Sequence, residues 1–372
     1  MQRYHKGVIA LRYQNKISWI MALSIFLICK EAFPANLGCG DGLCQQSETK
    51  ANCPGDCDEL TCKEIYKTTE QRCLGKGWGK IKINVNGIER EILWKAPLIW
   101  KYGAIIALHG GEGADSNFCS AIPRVHNRFL TETLRGVSVE EFGDLAIKEG
   151  FAVFSLNSTY NRVTDSEGRT VGKRWDSLSQ EGKENIDLPF IEKVIDKTIA
   201  SMRRSGSSNN IFITGISNGG YMTILAATHF SNKVTAFAPV SAGDPYGTYF
   251  DMSVKGPRKC GPGTWRDIET NRKINISNAC VSDKYLDEIE WPETKNSIPF
   301  KQFHNQGDGG CDFSCMQKIR ELLVEHGYKD DGAFILDPGT RNIENHFWQR
   351  EYNQPLLDFF KRCTGIDNKL NT

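Results

Sequence analysis

The sequence predicts an α/β fold with a mostly parallel sheet that is covered by helices on both faces. Apolar runs of strand length alternate with helix-length segments from about residue 60 onward, which is the pattern of βαβ units. The run "GAIIALHGG" (103–111) is continuously apolar and ends in glycines, as parallel strands buried on both faces do. The chain has 372 residues, and folds of this class run past about 250 residues as single domains.

The first predicted elements form a hairpin. "KIKINVNG" and "EREILW" cluster or alternate apolar residues around Asn86-Gly87, a pair typical of two-residue hairpin turns. The strand within 103–111, the helical "VEEFGDLAIKEG" and the strand "FAVFSLN" follow. "DLPFIEKVIDKTIASMRRSG" then places its apolar residues on one helical stripe, with Asp187 predicted as the N-cap and Gly206 as the stop.

The second half of the chain continues the alternation. "NIFITGIS" predicts a strand, and a helix is predicted from about residue 218. The remaining predicted elements are strands in "KVTAFAPVSA", "IPFKQFHN" and "AFILD", a helix at 313–326 and a final helix near 353–362. Residues 243–297 are polar and turn-rich, and such a long segment between strands predicts a lid-like insertion or substrate wall. We place this insertion within a catalytic domain of residues 60–366.

Composition limits the class of partner. The chain is 40% hydrophobic and 24% charged, as globular proteins are. Its formal net charge is +1 and no block of Lys or Arg stands out, so a nucleic-acid-binding surface is not expected.

Residues 1–35 differ from the rest of the chain. Basic residues precede "ISWIMALSIFLIC" (17–29), an uncharged stretch that is short for a membrane span and suits the apolar region of a signal peptide. Ala32 or Ala35 would form the cleavage edge. The segment therefore predicts a secreted protein, extracellular or periplasmic. The alternative is an uncleaved anchor, which would be the route to a membrane.

The cysteines also indicate export. Removing Cys29 with the signal peptide from the 13 cysteines leaves 12, an even number that predicts disulfides at all of them in an exported chain. Residues 36–58 form a Cys-rich module with almost no apolar surface, so cross-links or a metal must order it; its cysteines are Cys39, Cys44, Cys53 and Cys57. We favour two internal disulfides, because four thiolates on zinc would prefer C-x2-C pairs and a reducing compartment. The oxygen-bearing side chains of the module are either a weak calcium site or solvated turn residues.

The sequence "GISNG" (215–219) follows a predicted strand and precedes a predicted helix. Glycines on both sides of Ser217 allow a turn too tight for a Cβ, and such a turn lifts Oγ off the backbone near a helix N-terminus. The G-x-S-x-G pattern alone is weak, and a serine that only N-caps the helix is the alternative. The strand–turn–helix context predicts a nucleophile.

A nucleophilic serine needs a neutral imidazole to accept its proton. Of the seven histidines we predict His346, which lies in the polar loop "PGTRNIENHF" after the last predicted strand. His304 also follows the serine, but no strand end bearing an acid precedes it. The alternative for His346 is a surface loop histidine.

The imidazole in turn needs a carboxylate that fixes its tautomer and stabilises the imidazolium. We predict Asp308, which follows a strand end and has flanking glycines. Asp312 and Asp337 are the alternatives. The first opens a predicted helix, where capping explains it, and the second ends the next strand beside a Pro-Gly turn.

Attack on a carbonyl builds negative charge on its oxygen, which prealigned backbone N–H groups stabilise. One predicted donor is Asn218, the residue after the nucleophile. The other is Gly111 in "LHGGEG" (108–113), with His109 orienting the loop and taking no part in the chemistry. An ordinary glycine-rich turn is the alternative for this segment.

Four of these stretches, "LHGGEG", "GISNGG", "HNQGD" and "NHFW", occur in the order seen in the secreted esterase family of polyhydroxybutyrate depolymerases, a group that includes feruloyl and acetyl-xylan esterases. Residues 76–362 resemble that family. The resemblance implies an α/β-hydrolase fold and hydrolysis of carboxylic esters with no metal and no cofactor. The sequence departs from the family at Asn305, where glycine is usual. It also departs in the loop that carries Asp308, called the acid loop below, which Cys311 and Cys315 crowd.

The resemblance also implies roles for individual residues. It gives Ser217, Asp308 and His346 as the triad and Trp348 as a wall of the substrate pocket, with plain packing as the alternative for Trp348. The sequence therefore predicts a secreted serine esterase that acts on polyester, feruloyl or acetyl esters, polymeric substrates among them. A serine peptidase on the same fold and an inactive secreted binding protein are the alternatives.

Overall fold

The computed structural model describes residues 69–111, 113–119, 130–158, 174–177, 184–246, 264–266, 273–275, 297–311, 313–337 and 340–365. They belong to the unit Thr69–Thr372. The predicted signal peptide (1–35) and Cys-rich module (36–58) lie outside the described residues, as does most of the predicted insertion at 243–297.

An eight-stranded sheet forms the centre of the fold. Its strands are β1 (Gly79–Val85), β2 (Ile88–Lys95), β3 (Gly103–Leu108), β4 (Phe151–Leu156), β5 (Ile211–Ile216), β6 (Ala236–Val240), β9 (Pro299–Asn305) and β10 (Lys329–Leu336). The strand order is β1-β2-β4-β3-β5-β6-β9-β10, with β2 antiparallel to both neighbours and the strands from β4 to β10 parallel. Two short strands, β7 (Thr264–Arg266) and β8 (Lys273–Asn275), pair with each other in the insertion. The predicted mostly parallel α/β fold is confirmed.

Helices cover both faces of this sheet. They are α1 (Thr69–Gly75), α2 (Leu130–Glu149), α3 (Leu188–Lys193, continuing as Val194–Ile199 and Ala200–Met202), α4 (Asn218–His229), α5 (Phe313–Glu325) and α6 (Asn353–Cys363). Ile106 and Leu108 of β3 pack with α3, α4 and α5, whereas Ile105 and Ala107 pack with α2 and α6. Alternate residues of one strand thus enter opposite halves of the core, which explains why its sequence is apolar throughout. Among the described helices, none is long and apolar enough to cross a membrane.

The predicted hairpin joins β1 to β2. Asn86 and Gly87 both have positive φ, +49° and +85°, which is the geometry of a two-residue turn that matches the twist of the strands. The side chain of Asn84 accepts a hydrogen bond from the Gly87 N–H at 3.0 Å, and Val85 pairs with Ile88. The Asn-Gly prediction is confirmed.

Asp187 differs from its predicted role as a helix cap. It precedes α3, but its side chain makes no capping hydrogen bond. Its carboxylate instead pairs with Arg90 of β2 (Nη2 to Oδ1, 2.5 Å), and both side chains are buried. A buried guanidinium competes for the carboxylate more strongly than the first-turn N–H groups do, because an unpaired buried charge is costly. The same helix ends at Met202, before Gly206, which lies in the following turn at φ +85°.

The cysteines follow the prediction in part. Cys73 of α1 forms a disulfide with Cys119. Within the described residues, however, Cys363 at the end of α6 is a free thiol, so the expectation that every cysteine of the exported chain is bridged is wrong at this position. Burial, with a smaller contribution from Asp331, raises the pKa of the Cys363 thiol to about 12, which keeps it protonated.

Arg90→Met should destabilise the fold by about 3–5 kcal/mol, because it leaves the Asp187 carboxylate buried without its cation. Burial raises the pKa of Asp187 in the folded protein, and Arg90 opposes that rise. Removing Arg90 therefore raises this pKa further, and a folded state that binds its proton more tightly loses stability as pH rises. The loss, measured by urea unfolding, should be larger at about pH 8 than at about pH 5.

The matched control removes the stranded charge. Asp187→Asn in the Arg90→Met background should recover part of the lost stability and abolish its pH dependence. A loss that is equal at both pH values and unchanged in the double variant would contradict this role of the ion pair.

Candidate active site

Ser217 occupies a strained turn between β5 and α4. Its φ is +54° and its ψ is −120°, an unfavourable region for a residue with a side chain. The turn is held by two backbone hydrogen bonds of 2.9 Å, from the Ser217 N–H to the Val240 carbonyl and from the Tyr221 N–H to the Ser217 carbonyl. The Ser217 side chain makes no cap hydrogen bond to α4, so the N-cap alternative does not describe it.

The flanking glycines let this turn lie directly against the end of β3. A Cβ on Gly215 would lie 2.6 Å from the Gly219 carbonyl oxygen, and one on Gly219 would lie 2.3 Å from the Leu108 oxygen and 2.4 Å from the His109 oxygen. All of these are backbone atoms, which cannot rotate away as a side chain would. The predicted turn at residues 215–219, called the elbow below, therefore requires glycine at both positions.

The structure brings the three residues predicted for the triad into one chain of hydrogen bonds. His346 Nε2 lies 2.9 Å from Ser217 Oγ, and His346 Nδ1 lies 2.9 and 3.0 Å from the two carboxylate oxygens of Asp308. Asp308 is buried and also accepts backbone N–H bonds from Gly310 and Cys311, at 2.7 Å each. A carboxylate at Nδ1 favours the tautomer protonated there, which leaves the Nε2 lone pair facing the serine hydroxyl.

Two loops that are bonded to each other present the acid and the imidazole. Asp308 follows β9, and His346 ends the short helix Ile343–His346 after β10. Asn342 joins the loops, because its carbonyl accepts from the Gly309 N–H (2.8 Å) and its N–H donates to the Gly307 carbonyl (2.9 Å). Asp308 and His346 are therefore fixed relative to each other by the fold itself.

Of the alternatives for base and acid, the structure describes His304 and Asp337. His304 is fully buried behind the acid loop, with Nε2 3.0 Å from the Cys311 carbonyl and 3.5 Å from Asp308 Oδ2. Asp312 lies outside the described residues. Asp337 is the residue that follows β10, and the carboxylate that His346 contacts is that of Asp308.

The segment after β3 (residues 109–111), called the glycine loop below, lies beside Ser217, as the predicted oxyanion hole needs. A Cβ on Gly110 would lie 3.7 Å from Ser217 Cβ, and one on Gly111 would lie 3.3 Å from the Arg174 guanidinium carbon. His109 Nε2 accepts from the Ser158 N–H (3.1 Å), so its proton is on Nδ1, which donates to the Gly110 carbonyl (2.7 Å). The buried imidazole thus braces this loop. The roles of Gly111 and Asn218 as donors stay predictions.

Trp175 is a residue near the site that the sequence did not reveal. Its backbone N–H donates to Asn218 Oδ1 at 2.7 Å, and its indole N–H donates to the His109 carbonyl at 2.9 Å. It lies 42 residues before Ser217 in a segment with no motif, so only the tertiary structure relates the two.

Trp348, implied as a pocket wall, lies in the core. Its side chain is 2% exposed and packs on Phe118 and Phe142, with ring centroids 6.0 and 5.0 Å away. Its indole N–H donates to Asn353 Oδ1 at 2.7 Å. These contacts fit the packing alternative, because an indole with its polar atom bonded inside the core has little surface left for a substrate.

A buried tyrosine lies close to the acid loop. The Tyr221 hydroxyl is 3.8 Å from Cys311 Sγ. Burial raises the pKa of Tyr221 well above its usual value, and the nearby Cys311, Asp308 and Asp244 raise it further, so the phenol stays neutral.

Within the described residues, no group of three or more His, Cys, Asp or Glu is placed to hold a metal ion.

The strand order with an antiparallel second strand, together with a serine elbow after β5, is the architecture of the α/β-hydrolases. No protein-family model and no curated protein matches the sequence. Three similar solved structures are a thermostable esterase (17% identity, TM-score 0.46, 77% of this chain and 63% of that one), the acylaminoacyl peptidase of Pyrococcus horikoshii (17%, 0.46, 76% and 41%) and Est1E from Butyrivibrio proteoclasticus (15%, 0.43, 76% and 96%). The match thus spans less than two thirds of the thermostable esterase and of the peptidase.

Gly219→Ala should disrupt the elbow, because the new methyl group would overlap the carbonyl oxygens at the end of β3. We expect a lower Tm and loss of covalent labelling by a fluorophosphonate, which needs an aligned serine and imidazole. The matched control is Gly75→Ala at the end of α1, where a Cβ meets nothing within 4 Å. Wild-type labelling and Tm in Gly219→Ala would show that the close approach is not required.

Proposed function

We propose that the protein is a secreted serine hydrolase that cleaves carboxylic esters through an acyl-enzyme. The observation that carries the proposal is the unbroken chain of hydrogen bonds from Ser217 Oγ through His346 to Asp308. The strained elbow supports it, since a serine kept at positive φ is a feature of nucleophile turns. The predicted signal peptide at 1–35 supports secretion.

The first half of the proposed reaction uses this chain of hydrogen bonds. Ser217 Oγ attacks the ester carbonyl carbon while its proton passes to His346 Nε2, and Asp308 stabilises the imidazolium. The carbonyl oxygen becomes an oxyanion, for which the backbone N–H groups of Gly111 and Asn218 are the proposed donors. The intermediate collapses, the carbon–oxygen bond to the alcohol breaks, and the alcohol leaves with the proton from Nε2.

The second half repeats the steps with water. His346 accepts a proton from a water molecule while the water oxygen attacks the acyl carbon. The second tetrahedral intermediate then breaks the bond between the acyl carbon and Ser217 Oγ and releases the carboxylic acid. Ser217 Oγ regains its proton from Nε2. All groups required by the two halves belong to the chain, so the proposed reaction consumes only ester and water.

An ester substrate is proposed over an amide on the motif resemblance to polyhydroxybutyrate depolymerases and to feruloyl and acetyl-xylan esterases. Polyester, feruloyl and acetyl esters are the proposed classes. The Cys-rich module (36–58) would serve as a tether that raises the local concentration of a polymeric or surface-bound substrate.

A matched panel tests the reaction class. We expect hydrolysis of nitrophenyl esters and little hydrolysis of the nitroanilides with the same acyl groups. Faster cleavage of the anilides would indicate a peptidase. Failure to hydrolyse either, together with no reaction with a fluorophosphonate, would indicate a binding protein without activity.

Ser217→Ala and His346→Ala should each lower kcat on a nitrophenyl ester by about 10⁴-fold or more, with little further loss in the double variant, because the two groups act as one unit. The matched controls are Ser201→Ala and His229→Ala, whose side chains bond to carbonyls of their own helices, Thr198 and Leu225. These should retain activity. Activity of Ser217→Ala within about tenfold of the wild type would remove Ser217 from its assigned role.

A further inference from the structure

We propose that Trp175 is a positioning residue that holds the two halves of the oxyanion hole at a fixed spacing. The inference rests on the proposed function, because it concerns where the N–H groups of Asn218 and Gly111 lie relative to Ser217. Trp175 bonds to the elbow through its backbone and to the glycine loop through its side chain. Trp175 thus contacts both segments that carry the predicted donors, the elbow at Asn218 and the glycine loop at His109.

The contacts to the elbow fix Asn218. Its Oδ1 accepts from the Trp175 N–H at 2.7 Å, while its Nδ2 donates to Ser177 Oγ at 2.6 Å and to the Trp175 carbonyl at 3.3 Å. Asn218 is the first residue of α4, so its backbone N–H has no acceptor within the helix. Holding the side chain through both polar atoms restricts the rotation of the residue that carries this N–H.

The contacts to the glycine loop fix His109. The Trp175 indole donates to the His109 carbonyl at 2.9 Å, and the two rings pack with centroids 5.0 Å apart. The His109 carbonyl belongs to the peptide that continues into Gly110 and Gly111. The hydrogen bond therefore sets the direction of the backbone at the start of the loop.

Trp175 is itself held from two other sides. The Arg174 carbonyl accepts from Ser158 Oγ, just beyond β4. The Asp176 N–H donates to Asp187 Oδ2 at 2.6 Å, and the other oxygen of that carboxylate is paired with the buried Arg90. Trp175 is 3% exposed. A residue braced in this way transmits a fixed position to the elbow and to the loop.

The spacing matters because oxyanion stabilisation depends on donors that are aligned before the charge develops. Loss of a whole donor costs about 10²–10³-fold in kcat, so a donor that is only displaced should cost less. Displaced donors should lower kcat, because they weaken hydrogen bonds to the oxyanion of the transition state. Substrate binding should change little, since the neutral carbonyl of the bound ester interacts weakly with the same groups.

Trp175→Phe tests the inference, because it removes the indole N–H and keeps an aromatic ring against His109. We expect kcat on a nitrophenyl ester to fall by about tenfold or more while KM stays within about twofold. The rate of phosphonylation of Ser217 by a fluorophosphonate should fall in parallel, because its phosphoryl oxygen enters the same hole. The matched control is Trp94→Phe in β2, whose ring stacks on Phe154, and it should leave both rates unchanged.

The outcomes separate the inference from the proposed function. A wild-type protein that reacts with neither ester nor fluorophosphonate would contradict the function, and the inference with it. Wild-type rates in Trp175→Phe, or a rise in KM with unchanged kcat, would overturn the inference alone. If Trp175→Phe does not fold, Trp175→Tyr fills more of the space of the indole and also removes its N–H; kcat should fall in the same direction, and an unchanged kcat would overturn the inference.

Discussion

The candidate active site depends on the close approach of the serine elbow to the end of β3. Gly215 and Gly219 meet the carbonyl oxygens of Gly219, Leu108 and His109 at distances that no Cβ allows. This contact places Ser217 and the glycine loop side by side, although they are about a hundred residues apart in sequence. The parallel pairing of β3 with β5, from Ala104 with Ile211 to Leu108 with Gly215, brings the two strand ends to the same edge of the sheet. The strain at Ser217 is sustained because β3 and β5, the two strands whose ends meet at this contact, are fully buried.

The remaining groups of the site are fixed by contacts between loops. Backbone hydrogen bonds join the loop of Asp308 to the loop of His346, which holds the two residues in one unit. On the other side, Trp175 joins the elbow to the glycine loop, and the buried pair of Arg90 and Asp187 anchors the segment that carries it. The main effect of the ion pair is to position the segment that carries Trp175. Its net contribution to stability is small, because a buried ion pair stabilises a fold little more than well-packed apolar residues in its place would.

The sequence predicted the features that depend on local patterns. The alternation of strands and helices, the Asn-Gly hairpin and the glycines around Ser217 each follow from residues that are neighbours in the chain. It also brought Ser217, Asp308 and His346 forward as a set, because each follows a predicted strand and they occur in the chain order serine, acid, histidine. The failures were long-range. Asp187 was assigned to a helix cap because its partner is 97 residues away in β2, and Trp175 was missed because neither of its partners lies near it in sequence. Trp348 was implied by resemblance, and the structure buries it among aromatic side chains.

Ser217 is proposed as the nucleophile of a serine hydrolase, and locating a covalent adduct tests this proposal. Purified wild-type protein is treated with a fluorophosphonate and digested, and its modified peptide is sequenced by mass spectrometry. We predict a single phosphonyl group on Ser217, no adduct in His346→Ala under the same conditions, and loss of esterase activity in proportion to labelling. An adduct on a different residue, or full esterase activity in protein whose Ser217 is modified, would contradict it.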